Sequence, residues 1–156
     1  MTIRSGAFSA LPSEIIYIES VANYIIVAHF HNNEPRQTRL RGTLHYVEET
    51  LKNHDFIVHI HRAFLVNVNY VTAVTGNSNG YRIRMLGMDN LLPVSRANIE
   101  TFKQAMKVKN LRLRIKNLKR YYIMLKHILF IFFTILLLVI FALGKKTHYQ
   151  VVISTY

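Results

Sequence analysis

At 156 residues the chain has room for one domain with a core of its own plus attachments. It has no cysteine, which excludes disulfides and thiolate zinc sites. The formal charge of +12 is unevenly held: residues 1–101 carry nine Lys/Arg and all eight Asp/Glu, whereas residues 102–156 carry eleven Lys/Arg and no acid. Composition therefore breaks near residue 102, with an ordinary globular part first and a basic, apolar part after it.

The first elements are strands. "EIIYIES" (14–20) and "NYIIVAHFH" (23–31) are rich in β-branched and aromatic residues. "HNNEP" (31–35) is a turn, and "RQTRLRG" (36–42) alternates as an exposed strand does. The period then changes: Leu44, Val47 and Leu51 mark a short amphipathic helix over 43–52. "FIVHIH" (56–61) returns to period two and puts His59 and His61 on one face. "FLVNVNYVTAVT" (64–75), "YRIRML" (81–86) and "LLPVS" (91–95) read as further strands, with turns at "GNSNG" (76–80) and "GMDN" (87–90). Ser95 is placed to cap a terminal helix that opens "RANIETFK".

From Phe102 to Leu125 apolar residues recur near helical spacing with basic residues between them. Such a helix suits an anionic membrane leaflet, a solvated face or, less directly, DNA phosphates. Ile128 to Leu143 then reads "ILFIFFTILLLVIFAL", in which fourteen of sixteen residues are Leu, Ile, Phe or Val and none is charged. Membrane insertion of that run is favoured by about 4–8 kcal/mol. Sixteen residues reach only ~24 Å against a hydrocarbon core of ~30 Å, so the flanks must extend it: Tyr121 and Tyr122 suit the interface, and Lys126 and His127 can snorkel. Seven Lys/Arg fall in the twenty residues before Ile128, against Lys145 and Lys146 after it. That asymmetry puts the N-terminal part in the cytoplasm. The expected organisation is a domain at 1–101, a basic juxtamembrane helix at 102–126, a transmembrane helix at 127–144 and a short extracytoplasmic tail at 145–156.

Three chemistries compete. For catalysis there is no Gly-rich phosphate loop and no nucleophile–base constellation, so the chain is expected not to be an enzyme and to need no cofactor. For metal, His29 and His31 repeat the spacing of His59 and His61, and four imidazoles could bind zinc or copper if the pairs met. For recognition, Arg39, Arg41, Arg62, Arg82, Arg84 and Arg96 fall near strand ends and turns, where arginine can fork onto phosphates or guanine edges.

The order of motifs decides between them. "IIYIESVANYIIV" (15–27), "LRGTLHYVEETL" (40–51), "DFIVHIHRAFLVNVNYV" (55–71) and "LLPVSRANIETFK" (91–103) together resemble the LytTR family of bacterial DNA-binding domains, over about residues 8–105. The resemblance implies a mostly β fold of short antiparallel sheets with one short central helix, here followed by the basic helix and the transmembrane helix. It also implies transcription regulation at direct-repeat promoter sites, with loops and strand ends reaching successive major grooves. Matched by motif, Tyr24 after "ESVAN", Arg62 in "HRAF" and Arg96 in "PVSR" fall where family members meet bases, with Asn23 beside Tyr24. Asn67 is expected to cap the backbone of the following turn.

Two residues depart from the family pattern: His59 stands where arginine is usual, and Ala63 where serine is usual. Both family positions are associated with DNA backbone contact, so His59 is included among the expected DNA-binding residues. The implied affinity is modest and rises below about pH 6.5, where free histidine protonates. Many family members carry a receiver domain, for which these 156 residues have no room. Control is expected from the anchor, through a membrane regulatory partner. The sequence thus points to a single-pass, membrane-anchored regulator that binds double-stranded DNA and lipid, two copies per DNA site. The alternative is a membrane-bound interaction or sensor protein that retains the fold without binding DNA.

Overall fold

The computed structural model describes the backbone of residues 3–5, 8–77 and 80–153, and the side chains of 8–77 and 80–143. The strands are β1 (Ile3–Ser5), β2 (Phe8–Ala10), β3 (Ile15–Val21), β4 (Tyr24–His31), β5 (Glu34–Arg41), β6 (Ile57–His61), β7 (Phe64–Asn67), β8 (Val71–Asn77), β9 (Gly80–Met85) and β10 (Leu91–Val94). The helices are α1 (Leu44–Leu51) and α2 (Ile99–Ile153). All strand pairs are antiparallel: a five-stranded sheet in the order β5-β4-β3-β7-β6, a three-stranded sheet β10-β9-β8, and the pair β1-β2. The fold is mostly β, as the sequence pattern implies. The β1–β2 pair lies outside the sequence-based expectation.

β3 is the central strand and is buried on both faces. A bulge between Ile15 and Tyr17 lets Ile16 and Tyr17 join one core while Ile15 and Ile18 join the other. The first core packs the large sheet against the small one and takes in Ile99 and Phe102 from the start of α2. The second lies under α1, through Leu44, Val47 and Leu51. Thr43 caps α1, its Oγ1 accepting from the Tyr46 amide at 3.3 Å.

The chain divides into two compact units, Met1–Leu111 and Arg112–Tyr156. The break in composition at residue 102 does not coincide with this division, because the first turns of α2 supply core side chains to the first unit. Lys109 belongs to that unit as well: its Nζ donates to the Val71 carbonyl at 2.8 Å, and burial holds its pKa below the usual lysine value.

The structure departs from the sequence pattern at two connections. "FLVNVNYVTAVT" is not one strand. Asn67 ends β7, a 3₁₀ turn covers Val68–Tyr70, and β8 continues in the other sheet. Ser95 precedes a 3₁₀ turn (Arg96–Asn98) rather than α2 itself, and its side chain makes no capping bond. The expected turn at 76–80 includes Ser78 and Asn79, which lie outside the described residues, as do residues 154–156 of the expected tail. Among the described residues one helix is long and apolar enough to cross a membrane, and its apolar window is unburied.

Candidate nucleic-acid interface

Two backbone hydrogen bonds assemble the site. The Ser20 amide donates to the Ala63 carbonyl at 2.8 Å, and the Ser95 amide donates to the Ile60 carbonyl at 2.8 Å. The first joins the end of β3 to the β6–β7 turn. The second joins the end of β10 to the last residues of β6. Three turns, at Ala22–Asn23, Arg62–Ala63 and Ser95–Asn98, are thereby held along one end of the large sheet. Each carries an exposed polar side chain singled out from the sequence: Asn23 with Tyr24, Arg62, and Arg96.

Each turn has a local cause. The β3–β4 hairpin closes between Val21 and Tyr24 over two residues, and Ala22 takes φ 52°. A left-handed alanine costs roughly 1 kcal/mol, which the surrounding hairpin imposes. In the β6–β7 turn the Ala63 amide donates to Nδ1 of His61 at 3.2 Å, so that ring is a turn clamp. Its ring also packs on Phe64, centroids 5.8 Å apart. At the third turn the Asn98 amide donates to the Ser95 carbonyl at 3.0 Å and fixes the 3₁₀ conformation that projects Arg96.

Two further residues join this end. Arg41 is the cross-strand partner of Tyr24, and the Arg39 guanidinium lies 3.9 Å from the centroid of the Tyr24 ring. Arg39 thus positions Tyr24 by a cation–π contact. Both appear in the sequence only as arginines near strand ends. A signal for their placement was present: counting outward in step from a two-residue turn at Asn32–Asn33 brings Arg41 opposite Tyr24. Those two asparagines do take positive φ, 52° and 65°. Among the described residues, Arg39, Arg41, Arg62 and Arg96 take part in no ion pair. Their charge is available to an anion.

His59 sits elsewhere. Its Nδ1 lies 3.1 Å from Oε1 of Glu48 on α1, and its Nε2 is buried without a partner. It lines a groove with Glu48, Glu49 and Asp55 instead of standing with the three turns. The histidine pairs do not meet either. β4, with His29 and His31, is separated from β6, with His59 and His61, by β3 and β7. His29 is buried and bonded to Thr38 Oγ1 at 3.0 Å. Among the described residues no group of three or more His, Cys, Asp or Glu is arranged to hold a metal.

Comparison with known proteins bears on this arrangement. The model of the LytTr DNA-binding domain family matches residues 6–107. A solved structure, the LytTr DNA-binding domain of a putative methyl-accepting/DNA response regulator from Bacillus cereus, superposes with a TM-score of 0.53 at 21% identity, covering 68% of this chain and 94% of that one. That likeness shows a shared fold. No curated protein gives a significant match.

Proposed function

This chain belongs to the LytTR family of DNA-binding domains, which its residues 6–107 match, and on that premise we propose that it is a membrane-anchored transcription regulator that reads repeated promoter sites in double-stranded DNA. The observation that carries the proposal is the pair of backbone hydrogen bonds aligning three arginine- and tyrosine-bearing turns. Arg62 and Arg96 are the proposed base readers, since a guanidinium can fork onto guanine O6 and N7. Asn23 and Tyr24 form the third contact, and Arg39 and Arg41 support Tyr24 and add phosphate attraction. His59, engaged with Glu48, is proposed to steady α1 against β6 and to stand outside the contact set.

Ile128–Leu143 is the proposed membrane span, with the DNA-binding unit cytoplasmic. Tethering confines the reader to DNA that approaches the membrane, and with a single set of three turns reading one half-site, two copies act per direct-repeat site.

Selection of random duplexes by residues 1–111, with an Arg62→Ala, Arg96→Ala double variant as control, tests the proposal. A repeated motif lost in the variant is expected. No enrichment by a folded wild-type domain overturns it. A second reading, a membrane-bound interaction protein with the fold but without DNA binding, is favoured by one feature: residues 1–101 carry a balance of only +1. Failure of the selection would favour that reading.

A further inference from the structure

Arg62 is carried by a turn that is anchored on both sides. The Ile60 carbonyl accepts from the Ser95 amide and the Ala63 carbonyl from the Ser20 amide, each at 2.8 Å. Those bonds fix where the β6–β7 turn lies and leave its internal conformation to the turn itself. His61 pairs with Phe64 across it, so the connection is only Arg62 and Ala63. Hairpin loops of that length match the twist of their strands when one or both central residues take positive φ. The other two-residue turns of the large sheet do so, at Ala22 and at Asn32 with Asn33, whereas Arg62 and Ala63 do not. A side chain closes this loop instead. The Ala63 amide donates to Nδ1 of His61 at 3.2 Å, with Arg62 between donor and acceptor. The ring is steadied by Phe64, which meets Tyr17 edge-on with centroids 6.4 Å apart.

This bond has a chemical condition. Nδ1 accepts through a lone pair that only the neutral ring offers there, with the ring proton on Nε2. A second proton would set two N–H groups against each other. Histidine is the residue type whose charge changes between pH 5 and 8. The charged side chains around the turn are Arg62 itself, Arg96 on the turn after β10, and Glu19 on β3, which pairs with Phe64 on the side away from His61. Tyr17 also lies beyond Phe64. β7 and β10 present no titratable group of their own.

We propose that His61 is a positioning residue for Arg62 that works only as the neutral ring, so that acidification releases the turn and weakens base reading. The proposal rests on the assignment of Arg62 as a base reader above. Its sign is opposite to the gain that protonated histidine brings through phosphate attraction, and opposite to the rise in affinity at low pH that the sequence led us to expect.

The test uses residues 1–111, which hold both cores. One arm needs no DNA. In amide spectra of the nitrogen-15-labelled domain between pH 7.5 and 5.5, the Ala63 signal should move with the same midpoint as the His61 ring protons. In His61→Asn it should stay still, because an asparagine oxygen accepts from the amide two residues on and does not titrate. The other arm measures affinity, at constant ionic strength, for the duplex enriched from a random pool. Wild type should lose about three- to tenfold between pH 7.5 and 5.5, which is what one backbone hydrogen bond is worth. His61→Ala should show a loss of that size already at pH 7.5 and little more at pH 5.5. His61→Asn should recover most of the lost affinity and keep it at pH 5.5. Wild-type affinity that is flat or rises on acidification, an equal fall in His61→Asn, or an Ala63 amide indifferent to His61 overturns the proposal. A folded domain that enriches no duplex at either pH overturns the regulator reading and this proposal with it, whereas a titrating amide with unchanged affinity overturns this proposal alone.

Discussion

Asn67 illustrates how a single side chain joins fold to site. It is 1% exposed, its Nδ2 donates to the Ile15 carbonyl at 2.9 Å, and its Oδ1 accepts from the Asn69 amide at 3.0 Å. One amide thereby ties β7 to β3 and starts the turn that sends the chain to the other sheet. Asn67→Ala should cost about 1–3 kcal/mol, because two backbone groups lose their partners. Urea unfolding of residues 1–111 measures it. Its capping role was legible from sequence, since a buried asparagine before a turn has few other uses. The surroundings of His59 were not legible, because they depend on how α1 packs over β6. His59→Ala should leave DNA affinity within about twofold, while Arg62→Ala should lose about 1–3 kcal/mol of base discrimination. A comparable loss in both would return His59 to the interface. Alkaline stability gives a further residue-scale expectation. Burial and then Glu19 raise the Tyr17 pKa; burial and then Glu14 raise that of Tyr70. The folded state keeps those protons longer than the unfolded chain does. Stability is therefore held below about pH 10, the usual tyrosine value, and is lost as pH climbs through the raised folded values. Tyr17→Phe should flatten that loss in urea titrations run at pH 9 to 11.

At the scale of elements, alternation and turn chemistry located β3 to β6, β9, β10 and α1 to within a residue or two, whereas β7 and β8 were read as one run over 64–75. What escaped was partnership. An apolar run such as 64–75 has the same period whether it serves one sheet or two, and only the contacts of Asn67 show where it divides. The β1–β2 pair escaped because three-residue strands are too short for a periodic signal. The β8–β9 hairpin supports one clear expectation. Gly76 has φ +98°, and a Cβ built there would lie 2.1 Å from the Gly80 carbonyl oxygen. Both the backbone conformation and the space exclude a side chain. Gly76→Ala should therefore destabilise residues 1–111 by about 1–3 kcal/mol through strain at a glycine-only position. Hydrogen exchange should localise the loosening to β8 and β9. If protection there is unchanged, the hairpin accommodates the methyl group by moving at low cost.

Over the whole molecule, the division of charge organises the chain. The first unit, Met1–Leu111, carries twelve Lys/Arg against eight Asp/Glu, a balance of only +4, so its proposed affinity must come chiefly from a few arginines on and beside the three turns and not from a strong general positive field. Salt dependence should accordingly be shallow, because each phosphate neutralised adds only about 0.9 to the slope. The basic half performs a different task. Nine of its eleven Lys/Arg stand before the apolar run, and if that run crosses a membrane as proposed, the rule that positive flanks stay cytoplasmic would put the DNA-binding unit on the side where DNA is. This orientation can be tested cleanly because the chain has no native cysteine. Ser13→Cys lies on the exposed surface of the first unit, and Ser154→Cys follows the proposed span in the sequence. In intact spheroplasts a membrane-impermeant maleimide should label Cys at 154 and reach Cys at 13 only after lysis. Labelling at both sites before lysis would mean that the first unit is outside, away from any DNA, and the regulator reading would fall. Protection of both would mean that Ile128–Leu143 does not cross, and the tethering argument would lose its basis. Replacing Lys145 and Lys146 with Gln should leave the pattern unchanged, since the seven upstream cations already dominate the asymmetry.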